Sequence, residues 1–231
     1  MSDLVSSSAY LGLFLSVAFF LLPKSINRRL GREVFPPLLT ATMLCIAVLV
    51  VFRIDFDIYF QSARFLDVLL TPTTICLAIP LYRQFELLRK NAAAVLAGCL
   101  AGVVAHMAAC SAMLLLFDMD RGDFISLLPK SITAAIGKSL SAELGGDPAI
   151  TMALIMITGL FGSVVAPAVM KLARVSEPLA QGLGIGCASH ASGTSKAVEM
   201  GDVQGAASGL AIVVAGLLTV LVAPLTVAIF G

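Results

Sequence analysis

Apolar residues run along this chain in long blocks rather than in stripes: roughly 4 to 22, 36 to 52, 92 to 117, 149 to 170 and 204 to 230. A helix rises about 1.5 Å per residue, so about 20 mainly apolar residues cross ~30 Å of hydrocarbon, and these blocks meet or approach that length. They predict membrane helices. Three further stretches, 65 to 82, 124 to 142 and 178 to 199, are similarly apolar but interrupted by Pro, Gly, Ser, Thr and Lys. Non-helical backbone lies at membrane depth only where protein or a water-filled cavity satisfies its polar groups. The interrupted stretches are therefore expected to meet near mid-membrane and border a pathway, with Pro72, Pro129 and Gly193 close together.

Composition agrees about the solvent. The 231 residues are 59% hydrophobic and 13% charged, with a mean hydropathy of +1.00, against about 25% charged in a soluble domain. The expected fold is an all-α integral membrane protein, a multi-span helical bundle with broken or re-entrant helices and inverted repeats, transporter-like in plan. The opening "MSDLVSSSAY" has an acid and no base, so the first block is expected to be a retained span rather than a cleaved signal. A net charge of +1 gives no electrostatic case for nucleic acid. Cys45, Cys76, Cys99, Cys110 and Cys187 stand singly in apolar runs and are expected to be small core residues, neither metal ligands nor disulfides. No catalytic triad order, phosphate loop or metal spacing stands out, so neither an enzyme nor a cofactor is expected.

Lys and Arg in short loops set orientation. Lys24, Arg28, Arg29 and Arg32 follow the first block, and Arg83, Arg89 and Lys90 precede the third; both loops belong in the cytoplasm. "DMDRGD" after residue 117 is acidic and suits the outside. A full crossing by 124 to 142 would put Lys171 and Arg174 outside, whereas a re-entrant hairpin returns them inside. The charge rule favours the hairpin.

Two repetitions sharpen the picture. "LLPKSI" occurs at 21 to 26 and again at 127 to 132. The first copy runs into "NRRLGRE", where Pro23 ends a span and Lys24 snorkels among other bases. The second runs into "TAAIGKSL", where Pro129 suits the first turn of a half-helix. Lys130, Ser131 and Thr133 would then lie at its N-terminus, where free N–H groups and the helix dipole favour a carboxylate. An interfacial role for Lys130 is the other reading. The second repetition pairs "TPTTICLAIP" at 71 to 80 with "LPKSITAAIG" at 128 to 137, and "AGCLAGVVA" at 97 to 105 with "TGLFGSVVA" at 158 to 166. Reversed flanking charges point to an inverted repeat, a common plan of secondary transporters; chance similarity between Ala/Leu/Ile-rich segments is the other reading. Pro72, Thr73 and Thr74 are the counterparts of the Pro129 region. In the third broken stretch, Gly182, Gly184 and Gly186 are expected to prevent a stiff helix. Ser189, His190, Ser192, Gly193, Thr194, Lys196 and Glu199 there suit a polar cavity lining. Lys196 and Glu199 could equally form a helix-surface ion pair, and His190 could be a satisfied structural histidine. His106 reads as a packing histidine.

The blocks "LLTPTTICLAIPLYRQ", "LPKSITAAIGKSLSAELGG" and "GIGCASHASGTSKAVEMGDVQGAASGLAIVVAGLLT" resemble the signature blocks of the LrgB/CidB family. The resemblance covers nearly the whole chain beyond about residue 60. "TPTT" stands where the family usually has a "GPAT"-like run, and "HASGTS" where it has a "HGIGTA"-like run; Pro72, His190, Gly193 and Thr194 are kept. The resemblance implies one membrane domain over 1–231, a multi-pass protein of the bacterial inner membrane paired with a small LrgA/CidA-like membrane protein. Residues 61–231 would form the core; the smoother early spans in 1–60, at 4 to 22 and 36 to 52, are expected to form a scaffold or homodimer part, because small residues four apart leave close-packing faces. Two functions are implied for such proteins: holin-like or antiholin-like modulation of murein hydrolases and cell death, and carriage of glycolate, glycerate or pyruvate. Broken segments, hydroxyls and buried bases favour the carrier of a small organic anion by alternating access, embedded in membrane lipid.

Overall fold

The computed structural model describes residues 10–31, 36–69, 72, 75, 76 and 78–230. They are helical throughout, with no strand among the described residues. The helices are α1 (Leu11–Leu30), α2 (Pro37–Val51), α3 (Phe56–Val68), α4 (Ala78–Arg83), α5 (Phe85–Lys90), α6 (Ala92–Phe117), α7 (Arg121–Leu127), α8 (Ala134–Leu144), α9 (Pro148–Leu172), α10 (Pro178–Met200) and α11 (Asp202–Phe230); a 3-10 turn, Leu128–Ser131, joins α7 to α8. Of these, α1, α6, α9 and α11 are long and apolar enough to cross a membrane. The 15-residue α2 rises only about 22 Å, short of a full crossing.

The chain forms two compact units, Met1–Cys76 and Leu77–Gly231. In the first, α1 meets α3 closely at Gly12, whose N–H donates to Ser62 Oγ at 2.7 Å. One turn on, Ser16 Oγ lies 2.6 Å from Tyr59 OH. A methyl group at Gly12 would strike the Tyr59 carbonyl. Pro23 does not end the first span as its sequence context suggests: α1 continues through it to Leu30 and stops at Gly31, φ 65°. Proline removes one backbone donor and kinks a helix without having to end it, whereas a left-handed glycine is a regular terminator.

The second unit is built on α6, α9, α10 and α11. On α6, Val95, Cys99, Val103, Met107 and Cys110 form a buried stripe, while Leu96, Leu100 and Val104 on another face are exposed, as expected of a helix between protein and lipid. α10 and α11 pack most tightly. A methyl group at Gly182 or Gly186 would press into the Gln204 or Ser208 backbone, the latter at 2.5 Å from its carbonyl oxygen. These glycines therefore lie inside a regular helix and serve close approach, correcting the expectation that they loosen it; small residues four apart do this in lipid.

Between α6 and α9 the chain makes a hairpin of α7, the 3-10 turn and α8. Asp120 caps α7 through Gly122 N–H at 2.9 Å, and Asp147 caps α9 through Ala149 N–H at 2.7 Å, each satisfying an otherwise free helix-end donor. The hairpin's two ends are tied together. Asp147 N–H donates to Ser126 Oγ at 2.7 Å, Thr151 Oγ1 donates to the Ser126 carbonyl at 2.9 Å, and Thr151 and Ser141 hydroxyls share a 2.7 Å bond. Ser126, Ser141 and Thr151 are fully buried. The segment thus returns to the end at which it began.

Candidate functional site

Two backbone breaks lie on either side of α9. The first follows the 3-10 turn: Ile132 N–H closes on the Pro129 carbonyl at 3.2 Å, Ile132 itself is extended, and the helix restarts at Ala134 with Thr133 at its N-cap. Lys130 and Ser131 therefore belong to the turn and not to the half-helix N-terminus foreseen for them, because Pro129 starts the tight turn that the extended Ile132 ends. The second break is within α10 at His190, whose φ of 40° and ψ of −134° are left-handed-side values that cost a non-glycine residue about 1–3 kcal/mol.

Three contacts hold that strained turn. His190 Nε2 bonds the Ile155 carbonyl of α9 at 3.0 Å; since a carbonyl only accepts, Nε2 carries the proton. Thr194 Oγ1 donates to the His190 carbonyl at 2.9 Å and shares a 2.7 Å bond with Ser208 Oγ of α11. α9 gives the room: a methyl group at Gly159 would fall 2.5 Å from His190 Cε1, and one at Gly162 would collide with Ser189. Ile155 also reaches the first break, where its Cδ1 would lie 2.6 Å from a methyl group at Gly137. The two breaks share Ile155 as neighbour.

A cleft of about 1010 Å³ lies beside these breaks, lined by one face each of α6, α9 and α10, with Lys130 and Ser131 of the 3-10 turn. Asn91 and Glu177, at the starts of α6 and α10, lie at one end. Along α6 the lining runs Asn91, Ala94, Gly98, Gly102 and His106, and the fifteen helical steps from Asn91 to His106 span about 22 Å. At the far end His106 Nε2 donates to the Leu128 carbonyl at 2.8 Å. That bond fixes the 3-10 turn against α6, two residues from Lys130. Glycines on the walls set the spacing: a methyl group at Gly98 would only touch Leu183, at 3.5 Å, while one at Gly102 would press on Cys187, at 3.3 Å.

Of the residues foreseen for the site, Lys130, Ser131 and Ser189 line this cleft. Lys130 is half-buried between buried Pro129 and Ser131, and it has no ion-pair partner among the described residues. Thr133 is the half-buried cap of α8, its side chain making no capping bond. His190, Gly193 and Thr194 are buried at the second break rather than in the cleft wall, and Ser192 is packed near Gly159. Lys196 and Glu199 form a 3.0 Å ion pair one turn apart on α10, with Glu199 exposed; neither lines the cleft. Pro72 is exposed and belongs to the first unit, and Thr73 and Thr74 lie outside the described residues. His106, Asn91 and Glu177 were not foreseen as lining residues. The signal for His106 was the stripe of Asn91, Ala94, Gly98 and Gly102 on one helix face, which ends at that histidine.

Among the described residues no group of His, Cys, Asp and Glu is arranged to hold a metal ion. The cysteines are free. Chemically the cleft offers one primary ammonium, an imidazole and the hydroxyls of Ser131, Thr158 and Ser189, an apolar body, and one amide and one carboxylate, of Asn91 and Glu177, at the other end.

The LrgB-like family profile matches residues 16–229. An uncharacterized protein, YxaC, of Bacillus subtilis is 33% identical over 218 residues, covering 94% of this chain and 95% of that one. A holin-like protein CidB of Staphylococcus aureus is 32% identical over 230 residues, 100% of both chains. A holin-like protein CidB of Staphylococcus epidermidis is 31% identical over 222 residues, 96% of this chain and 97% of that one. No solved structure matches. With helices long enough to span a bilayer and a match over nearly its full length, the chain belongs to the LrgB-like family of bacterial membrane proteins.

Proposed function

We propose that this chain is a secondary carrier or facilitator of small carboxylates, of the pyruvate, glycolate or glycerate class, in the bacterial inner membrane. The observation that carries the reading is Lys130, an ammonium without an ion-pair partner among the described residues, at the inner end of a mostly apolar cleft. A charge on a membrane segment costs about 2.5–3.5 kcal/mol or more at the bilayer centre, so it is rarely kept there without a counter-charge or water. A bound carboxylate would supply the counter-charge, with Ser131 and Ser189 within the same lining to donate hydroxyl hydrogen bonds. The hairpin followed by α9, set against the earlier interrupted stretch followed by α6, suits a pair of inverted repeats. Such repeats bind substrate at broken helices and rock about the site.

The names of the staphylococcal relatives, holin-like proteins, favour a second reading: a holin-like protein, for which the family resemblance implies modulation of murein hydrolases and lysis together with a small LrgA/CidA-like partner. Uptake of labelled pyruvate, glycolate and glycerate into proteoliposomes, with a large trapped dye as control, separates the two. Saturable uptake without dye loss is expected. Dye leakage without saturable uptake would replace the carrier with the holin-like reading.

A further inference from the structure

We infer that the cleft selects monocarboxylates with an apolar body, accepting branched or aryl 2-oxo and 2-hydroxy acids and rejecting dicarboxylates; this rests on the carrier reading above. The charges are the first ground. Among the described lining residues Lys130 is the single lysine or arginine and Glu177 the single acid, at opposite ends of the cleft. One carboxylate can sit at Lys130. A second carboxylate would find no second lysine or arginine among the described lining residues, only neutral hydroxyls, an imidazole, an amide and apolar walls, and a charge without a counter-charge in largely apolar surroundings is strongly disfavoured.

The size and lining are the second ground. About 1010 Å³ is the volume of a site for a drug-sized ligand, far more than a three-carbon acid fills. Walls of Phe161, Leu183 and Val165 favour a hydrocarbon body, each additional buried CH2 strengthening binding by up to about fourfold. Gly98 and Gly102 leave the α6 wall without side chains, which widens the space such a body would occupy. The acid would lie carboxylate inward at Lys130 and body outward along α6.

Competition against uptake of labelled pyruvate in proteoliposomes tests this. 4-Methyl-2-oxopentanoate and phenylpyruvate are expected to inhibit at concentrations equal to or lower than unlabelled pyruvate, and 2-oxoglutarate to need at least about tenfold more. Ala188→Phe, which places a ring in the cleft beside Ser189, should shift the ratio of inhibition constants toward pyruvate. Uptake of pyruvate that the two apolar acids fail to inhibit, or that 2-oxoglutarate inhibits equally well, would overturn the inference while leaving the carrier intact. Absence of uptake or binding of any monocarboxylate would overturn both.

Discussion

Two lysines in identical six-residue surroundings allow a direct comparison at the residue scale. Lys24 is exposed on α1, with Arg28 and Arg29 in the last turn of the same helix; Lys130 is half-buried in the 3-10 turn of the hairpin and lines the cleft. Removing one partner of a buried charge pair costs about 2–5 kcal/mol, or roughly 30-fold to several thousand-fold in affinity. An exposed charge among like neighbours is worth under ~1 kcal/mol. Lys130→Gln should therefore abolish or severely reduce carboxylate uptake at matched protein level, and Lys24→Gln should leave it close to normal. Initial uptake rates check this, and equal losses from both substitutions would remove Lys130 from the site. The hexamer alone did not distinguish the copies; their flanks did. "NRRLGRE" and "TAAIGKSL" differ in charge, which is legible from sequence, while the tight turn around Pro129 is a backbone outcome that depends on His106 reaching the Leu128 carbonyl.

Among the elements, α9 is the one on which both breaks rest. Its Gly159 faces the imidazole of His190 and leaves no room for a methyl group, whereas Gly98 on α6 meets Leu183 only at ordinary contact distance. Overpacking of a tight interior costs about 1–3 kcal/mol. Gly159→Ala should consequently displace His190, break its bond to the Ile155 carbonyl and lower thermal stability in detergent, by about 2–4 °C for each kcal/mol in a chain of this size. Gly98→Ala should be near neutral. Similar unfolding temperatures for the two variants would show that the His190 turn does not depend on α9. The sequence showed the small residues of both helices alike, because composition carries no information on which of them a neighbouring imidazole approaches. It also spread the expected break over Gly182, Gly184 and Gly186, where the helix is regular; glycine permits a break and tight α10–α11 packing equally, and packing decided.

For the whole second unit, the hairpin determines which end of each helix faces which side. Asn91 and Glu177 share one end of the cleft, and Arg89, Lys90, Lys171 and Arg174 lie next to them in the chain, so the positive-inside rule predicts that end to face the cytoplasm. Asp118, Asp120 and Asp123 follow α6 at its other end. In a cysteine-free background, Glu177→Cys should react with a membrane-impermeant maleimide only from the cytoplasmic side of oriented vesicles, and Asp118→Cys only from the outer side. Labelling of both from one side would require 124 to 142 to cross fully and would invert the assignment.

The sequence by itself determined the solvent, the helical class and the three later spans: 92 to 117 coincides with α6, 149 to 170 lies within α9, and 204 to 230 within α11, whereas 36 to 52 became the shorter α2 and 4 to 22 only overlaps α1. Hydrocarbon imposes length and polarity locally, residue by residue, so the blocks could be read directly. The charge order also pointed to the hairpin, since loop lysines and arginines are read against the membrane before any packing occurs. Tertiary structure alone decided where the backbone breaks, which glycines admit a neighbour, and that His106 and Glu177 line one cleft with Lys130. Those outcomes depend on residues distant in the chain, Leu128 against His106 and Ile155 against His190. A broken backbone persists only where such a distant partner satisfies it, and no local pattern names that partner.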